Sequence, residues 1–332
     1  MNNNTKSGRK KLTAKQHRKR NALKITLICL LAVLAVVIGG VVLVFEHFYS
    51  RTNFISESME DDGIEVADYA QSEDGVYNLL LIGVDKRDYN GKYAGNSDVM
   101  MLMSINSNTK KVHLMSFMRD LYADIDGHGV HKLNAACSYG GPKLLISTIE
   151  KNYKVGIDNY AMVDFDDMVN IIDTMGGVDI DVTGDEVPVL NQYLEELTAL
   201  DGTRLSDYTL SRGGHLHLNG KQAVAYCRIR YVGNADYQRT ERQRTVMTQL
   251  LGKFSGKNAI ELGSLADKLL PYITHNVSQG EVLNMITKIP SIAKFRVVQE
   301  RIPYDNHYTS SEEILVPDMD YTIRQIQNDL NG

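Results

Sequence analysis

The chain has 332 residues, 43% of them hydrophobic and 23% charged, which suits one large domain or two modest ones with a real core. Three cysteines are too few for a disulfide scaffold, and the lack of any CxxC pair excludes the usual cysteine metal sites. The net charge of −5 is uneven: residues 1–45 carry nine Lys or Arg and no acid, leaving 27 basic against 41 acidic side chains over residues 46–332, a net of −14.

Residues 1–24 form a basic tail too short to fold as a DNA-binding domain. Residues 25–45 are 21 positions without a charge, long enough to cross a bilayer as a helix, and Val42-Leu43-Val44 offers no small-residue cleavage site. An uncleaved anchor is therefore expected, with the N-terminus in the cytoplasm and the bulk of the chain outside, because basic residues precede the span and acidic ones follow it. The basic tail then serves orientation rather than nucleic-acid binding. Residues 46–74 are acidic and aperiodic, as expected of a solvated stalk.

Residues 75–332 read as the globular part. A nearly continuous apolar run at 76–84 has strand length and ends on Asp85. A Gly/Asn-rich loop leads to Ser97-Asp98 and a strand at 99–105, and a tight turn leads to a third strand at 112–118, closed by Arg119-Asp120. A helix is expected at 142–153 with Pro142 in its first turn, then a strand at 157–165, a helix at 166–175 stopped by Gly176-Gly177, and a strand at 178–182. Residues 185–214 carry no clear pattern.

The stretch from 226 to 244 holds five arginines (Arg228, Arg230, Arg239, Arg242, Arg244), no lysine, and only two acids, Asp236 and Glu241. Arginine without lysine suits two-pronged recognition of phosphate or carboxylate. From Asp236 the helical period places Asp236, Arg239 and Gln243 on a stripe that turns apolar from Val246 and so faces inward; Gln238, Arg242, Thr245, Gln249 and Lys253 form the opposite, solvated stripe. If 226–230 is extended, Arg228 and Arg230 point to one side and converge with Arg239. A buried Arg–Asp pair would explain one of these residues. Three arginines and Gln243 against a single inward Asp leave surplus positive charge, which favours a multiply charged anion. Helices at 260–273 and 279–289, a strand near 295–302 and a helix after Pro317 complete an α/β pattern, expected as a layered α-β-α domain around a mixed central sheet.

YNLLLIGVD, SDVMMLMSIN, MRDLY, KLNAACSYGG, VDFDDMVNIIDTMGGVDIDV, YCRIR and DYQRTERQ, over residues 76–255, stand in the order and spacing of the LytR-CpsA-Psr family, which the chain resembles. The resemblance implies a phosphotransferase that moves an anionic glycopolymer, such as teichoic acid or capsule, from an undecaprenyl pyrophosphate carrier in the cell membrane to a muramic acid hydroxyl of peptidoglycan, assisted by Mg²⁺ or Mn²⁺. It also implies residue roles: Asp85 and Asp98 as metal ligands; Arg119, Arg228 and Arg230 at the catalytic centre; and these three arginines with Arg239 and Gln243 on the pyrophosphate. Arg87, Asp120 and Asp236 are second-tier candidates, Asp236 as an orienter of Arg239 or Arg228. Three positions depart from the family pattern: Asn96 for Arg, Met118 for Pro and Tyr231 for His.

Several residues invite a plainer reading. Asp85 and Asp98 alone would pass for turn or capping residues, and their place at strand ends beside the arginines is what raises them. Adjacent strand residues face opposite sides, which argues against an Arg119–Asp120 pair. His215 and His217 have metal-ligand spacing without an evident third ligand, and Cys137 and Cys227 read as free core residues. The same phosphate site would also serve a pyrophosphate-lipid hydrolase, and a non-enzymatic envelope sensor or transcriptional attenuator is the third alternative.

Overall fold

A computed structural model describes residues 50, 53–54, 74–85, 95–311 and 314–332. The expected membrane span, the basic tail and Arg87 lie outside the described residues; no described helix is long and apolar enough to cross a membrane. Residues 51–332 form one compact unit.

In chain order the strands are β1 (Asn53–Phe54), β2 (Val76–Val84), β3 (Ser97–Asn106), β4 (Lys111–Phe117), β5 (Tyr122–Ile125) and β6 (Gly129–Lys132), followed by helix α1 (Ala135–Tyr153) and strand β7 (Asn159–Asp164). Helix α2 (Phe165–Thr174), β8 (Val178–Val182), α3 (Glu186–Asp201), β9 (Gly214–Leu218), α4 (Gly220–Arg228), α5 (Ala235–Gly252) and α6 (Ala259–Leu269) come next. The chain closes with β10 (Thr274–His275), α7 (Gln279–Ile292), β11 (Arg296–Ile302), β12 (Tyr308–Ser311), β13 (Ile314–Pro317) and α8 (Met319–Asn331).

Seven strands form a mixed sheet in the order β1-β10-β7-β2-β3-β4-β11. β2, β4, β7 and β11 run one way, and β3 runs against β2 and β4. The carboxyl ends of four strands therefore meet the start of β3 at one edge, where open α/β sheets commonly bind ligands.

The central strands are apolar almost throughout because both faces are covered. Leu80, Ile82, Leu102, Met115 and Phe117 pack under Leu145 and Ile149 of α1 and Ile326 of α8. On the other face Leu81, Met101 and Leu114 meet Met247 and Leu251 of α5. Val246 and Leu250, on the same helix, enter a third cluster with α2, α3, α4 and the β8–β9 hairpin. Helix α5 is thus shared by two cores, and its arginine-rich first half lies between them and the functional edge.

Two expected assignments of secondary structure need correction, and one unassigned stretch gains its elements. Of residues 226–230, considered as an extended stretch, Tyr226–Arg228 instead end helix α4, which starts at the reciprocal capping box of Asn219 and Gln222, and only Ile229 and Arg230 lie outside the helix. Asn53 and Phe54, assigned to the stalk, form an edge strand paired with Thr274 and His275. The unassigned stretch contains α3, and β9, which pairs with β8.

Candidate active site

The edge is built by local features that each place one side chain. Gly220 opens α4 against α2: its N–H donates to Asp173 at 2.6 Å, and a Cβ there would lie 2.2 Å from the Val169 carbonyl. Only glycine permits that approach, which seats the start of α4 on α2; the helix ends at Arg228. Ile229 then leaves the helix, and Arg242 of α5 pins the following turn by donating to the carbonyls of Ile229 (3.0 Å) and Val232 (3.2 Å). Arg230 rides on that turn. Arg242, expected in solvent, is instead 2% exposed and donates through Nε to Glu186 at 2.8 Å. It is a scaffold residue, since a guanidinium can be buried only when its donors are satisfied.

Arg119 and Asp120 lie in a turn just past β4, so strand alternation does not separate them: Arg119 Nε is 3.5 Å from Asp120 Oδ2. Arg119 also reaches Asp98 Oδ1 at 3.3 Å and Asp236 Oδ2 at 3.7 Å. Arg230 approaches Asp98 (3.6 Å) and Asp236 (3.5 Å), and Arg239 approaches Asp236 Oδ1 (3.5 Å). Two carboxylates, Asp98 and Asp236, are thereby divided among three guanidinium groups. Asp236 lies beside Arg239, and its further neighbours are Arg119 and Arg230 rather than Arg228.

Most of these contacts are too long to be hydrogen bonds. Arg119 Nε, Arg239 Nε, Arg228 Nη1 and Asp236 Oδ1 are buried without a hydrogen-bond partner. Burial, reinforced by Arg230, pushes the Arg239 guanidinium down to about 10. For Arg119 burial alone would lower the pKa, but Asp120, Asp236 and Asp98 outweigh it and hold the group above its ordinary value. Donors so placed can accept an anion with little rearrangement.

Arg228 departs from the expected convergence. It donates to Glu196 at 2.9 Å and lies over the rings of Tyr193 (4.7 Å) and Phe165 (5.3 Å). It nonetheless shares a cavity of about 190 Å³ with Arg230, Arg239, Asp98 and Gln243, whose lining also includes the apolar Val99, Met101, Met168, Val224, Val246 and Leu250. Tyr193, Phe165 and Asp164 also line it and escaped the sequence reading, Tyr193 because its helix had no legible period, although Asp164 and Phe165 stand inside the VDFDD motif.

Asp85 lies just beyond β2, whose last residue Val84 pairs with Ser97 on one side and Asp164 on the other. Asp85, Asp98 and Asp164 therefore gather at one sheet end. Among the described residues no group of three or more His, Cys, Asp or Glu could hold a metal by itself. Mg²⁺ typically takes one or two carboxylates and completes its shell with phosphate and water. His215 and His217 are each occupied by a carboxylate, Asp181 and Asp179, at 2.8 Å. Cys137 and Cys227 are free, with burial pushing both thiols up to about 12.

These features define an α/β protein with arginines and apolar side chains lining one cavity at the end of a mixed sheet. The chain belongs to the LytR_cpsA_psr family, whose pattern matches residues 42–331. It is 28% identical over 271 residues to the regulatory protein MsrR of Staphylococcus aureus, covering 81% of this chain and 77% of that one. It is 29% identical over 286 residues to TagU of Oceanobacillus iheyensis, a polyisoprenyl-teichoic acid–peptidoglycan teichoic acid transferase, covering 82% and 83%. Among solved structures it shares its fold with Bacillus subtilis TagT at a TM-score of 0.59 and 23% identity, covering 81% of this chain and 96% of that one. A TagT structure with bound octaprenyl pyrophosphate lipid aligns at a TM-score of 0.54 and 23% identity, covering 81% and 95%.

Proposed function

We propose that this chain transfers an anionic glycopolymer, of teichoic acid or capsule type, from an undecaprenyl pyrophosphate carrier to a muramic acid hydroxyl of peptidoglycan. The observation that carries this reading is the amphipathic cavity: Arg228, Arg230, Arg239 and Gln243 share it with Val, Met and Leu side chains. A ligand matching both parts has a multiply charged head and a hydrocarbon tail. The relatives support it, since TagU is named as a teichoic acid transferase and a TagT structure holds a polyprenyl pyrophosphate.

In the reaction the acceptor hydroxyl oxygen bonds to the phosphorus that carries the glycopolymer, and the bond from that phosphorus to the bridging oxygen breaks. Polyprenyl phosphate leaves with the electron pair, and the hydroxyl proton passes to solvent. Charge builds on the bridging oxygen, and Arg230 and Arg239, which lie beside Asp236 and Asp98, neutralise it. A magnesium or manganese ion held by Asp85 and Asp98 would add charge neutralisation at the phosphate oxygens. The apolar wall keeps the lipid in register with the arginines. The reading places the domain on the outer side of the cell membrane, anchored through residues 25–45.

The test is transfer of labelled glycopolymer by the detergent-extracted full chain with Mg²⁺ present. Label on peptidoglycan, lost in Arg230→Ala and in Arg239→Ala, supports the reading. Label recovered as a free phosphate ester would instead make the chain a hydrolase, and transfer retained by both variants would remove the arginines from the mechanism.

A further inference from the structure

A second cavity adjoins the first. It is an open cleft of about 400 Å³ lined by Met118, Arg119, Asp120, Lys132, Asp236, Tyr237 and Leu315, a volume within the range of roughly 300–1,000 Å³ common for small-molecule sites. The two cavities share no lining residue. What separates them is the ion-pair wall: Asp98 and Arg230 face the lipid side, Arg119 faces the cleft, and Asp236 presents Oδ1 to Arg230 and Arg239 and Oδ2 to Arg119.

Phosphoryl transfer needs the attacking and leaving oxygens roughly in line. If polyprenyl phosphate leaves on the side of the apolar cavity, the attacking hydroxyl must arrive from across that wall, and the cleft lies there. Its walls come from separate parts of the chain: the turn after β4, strand β6, the first turn of α5, and the β12–β13 hairpin. Leu315 N–H of that hairpin donates to the Asp120 carbonyl at 2.8 Å, and the Tyr237 and Tyr308 hydroxyls are 2.6 Å apart. Asp120 and Lys132, 3.1 Å apart, put an acceptor and a donor side by side at 18% and 32% side-chain exposure. Tyr237 adds an aromatic ring with the Arg301 guanidinium over it at 4.3 Å. Adjacent hydrogen-bonding groups of both kinds beside a ring suit a saccharide, whose hydroxyls both give and take hydrogen bonds.

We propose that this cleft seats the acceptor sugar of the transfer reaction, with Asp120 and Lys132 on its hydroxyls and Tyr237 against its ring. The assignment rests on the transferase reading. Met118, one of the departures from the family pattern, forms part of the floor, so the side chain there shapes acceptor fit. Lys132 lines this cleft and does not line the apolar cavity.

The full chain in detergent tests this with polyprenyl-pyrophosphate-linked glycan as donor and peptidoglycan oligosaccharide as acceptor. Lys132→Ala raises the acceptor KM about tenfold, with kcat and donor-lipid binding within about twofold of the parent, and Lys132→Arg recovers most of the loss. Leu315→Trp, which fills the cleft, gives the same pattern. If the parent transfers and the acceptor KM is unchanged in both Lys132→Ala and Leu315→Trp, the cleft is not the acceptor site and the transferase reading stands. Weakened donor binding in Lys132→Ala likewise overturns the cleft assignment. A parent chain that binds the lipid yet transfers to no acceptor overturns both.

Discussion

Arg242 donates to Glu186 at 2.8 Å with side chains only 2% and 5% exposed, and through this pair helix α5 grips α3 and the turn that carries Arg230. Arg242→Met leaves the Glu186 carboxylate buried without its cation and two carbonyls without donors. Breaking one side of such a pair typically costs about 3–5 kcal/mol. Urea unfolding should show a loss of that order, and Arg242→Met combined with Glu186→Leu should recover part of it.

Arg239 predicts the opposite balance. Its guanidinium is 3% exposed, has a buried donor without a hydrogen-bond partner, and is lowered to about 10 chiefly by burial. The unfolded chain binds that proton more tightly, so the folded state carries a penalty at every pH below about 10, relieved only as pH climbs further. Arg239→Met is expected to keep or raise the melting temperature while cutting transfer roughly 100- to 1,000-fold. A large drop in melting temperature would make Arg239 a structural residue.

Arg228 works through its plane as well as its charge, because it lies over Tyr193 and Phe165 while donating to Glu196. Lysine keeps the charge and loses the stacking. Arg228→Lys should lower kcat/KM for transfer about tenfold or more. Adding Tyr193→Leu should then cost little beyond that, since the two changes remove the same contact.

The apolar wall can be tested apart from the arginines. Met168 lines the cavity, and Met168→Trp adds bulk there. Affinity for a long-chain polyprenyl pyrophosphate should fall about tenfold or more, while binding of a short-chain, soluble pyrophosphate ester holds. Equal loss for both ligands would show that the tail does not enter this space.

Glu150, far from the arginines in sequence, gives a pH signature. It is 4% exposed, and burial, aided by Asp158, pushes its carboxyl up to about 7 although it accepts a hydrogen bond from Ile157 N–H at 2.9 Å. The folded state keeps a proton that the unfolded chain releases near 4.5, so stability falls as pH rises from there to about 7 and stays lower above it. Glu150→Gln keeps an acceptor for Ile157 and removes the charge. Chemical denaturation at pH 5 and pH 8 should show the variant gaining at pH 8, by at most about 3 kcal/mol, and little at pH 5.

The residue pattern alone was enough for the α/β class, most strands of the sheet, the inward stripe of Asp236, Arg239 and Gln243, and the family, because period and local motifs carry that information directly. Which arginine does what was decided by the tertiary structure. Arg242 looked solvent-facing by helical period and Arg239 looked buried, yet both are buried. Arg242 finds its hydrogen-bond partners on α3 and the 229–232 turn, whereas Arg239 Nε has only Asp236 at 3.5 Å, too far for a hydrogen bond. A helix packed on two sides keeps only a narrow exposed polar face, with Glu241 and Gln249 on it, and the partner that buries Arg242, Glu186, is 56 residues away. The cleft beside Arg119 was equally invisible, since its walls are brought together only when β4, β6, α5 and the β12–β13 hairpin dock at one edge of the sheet.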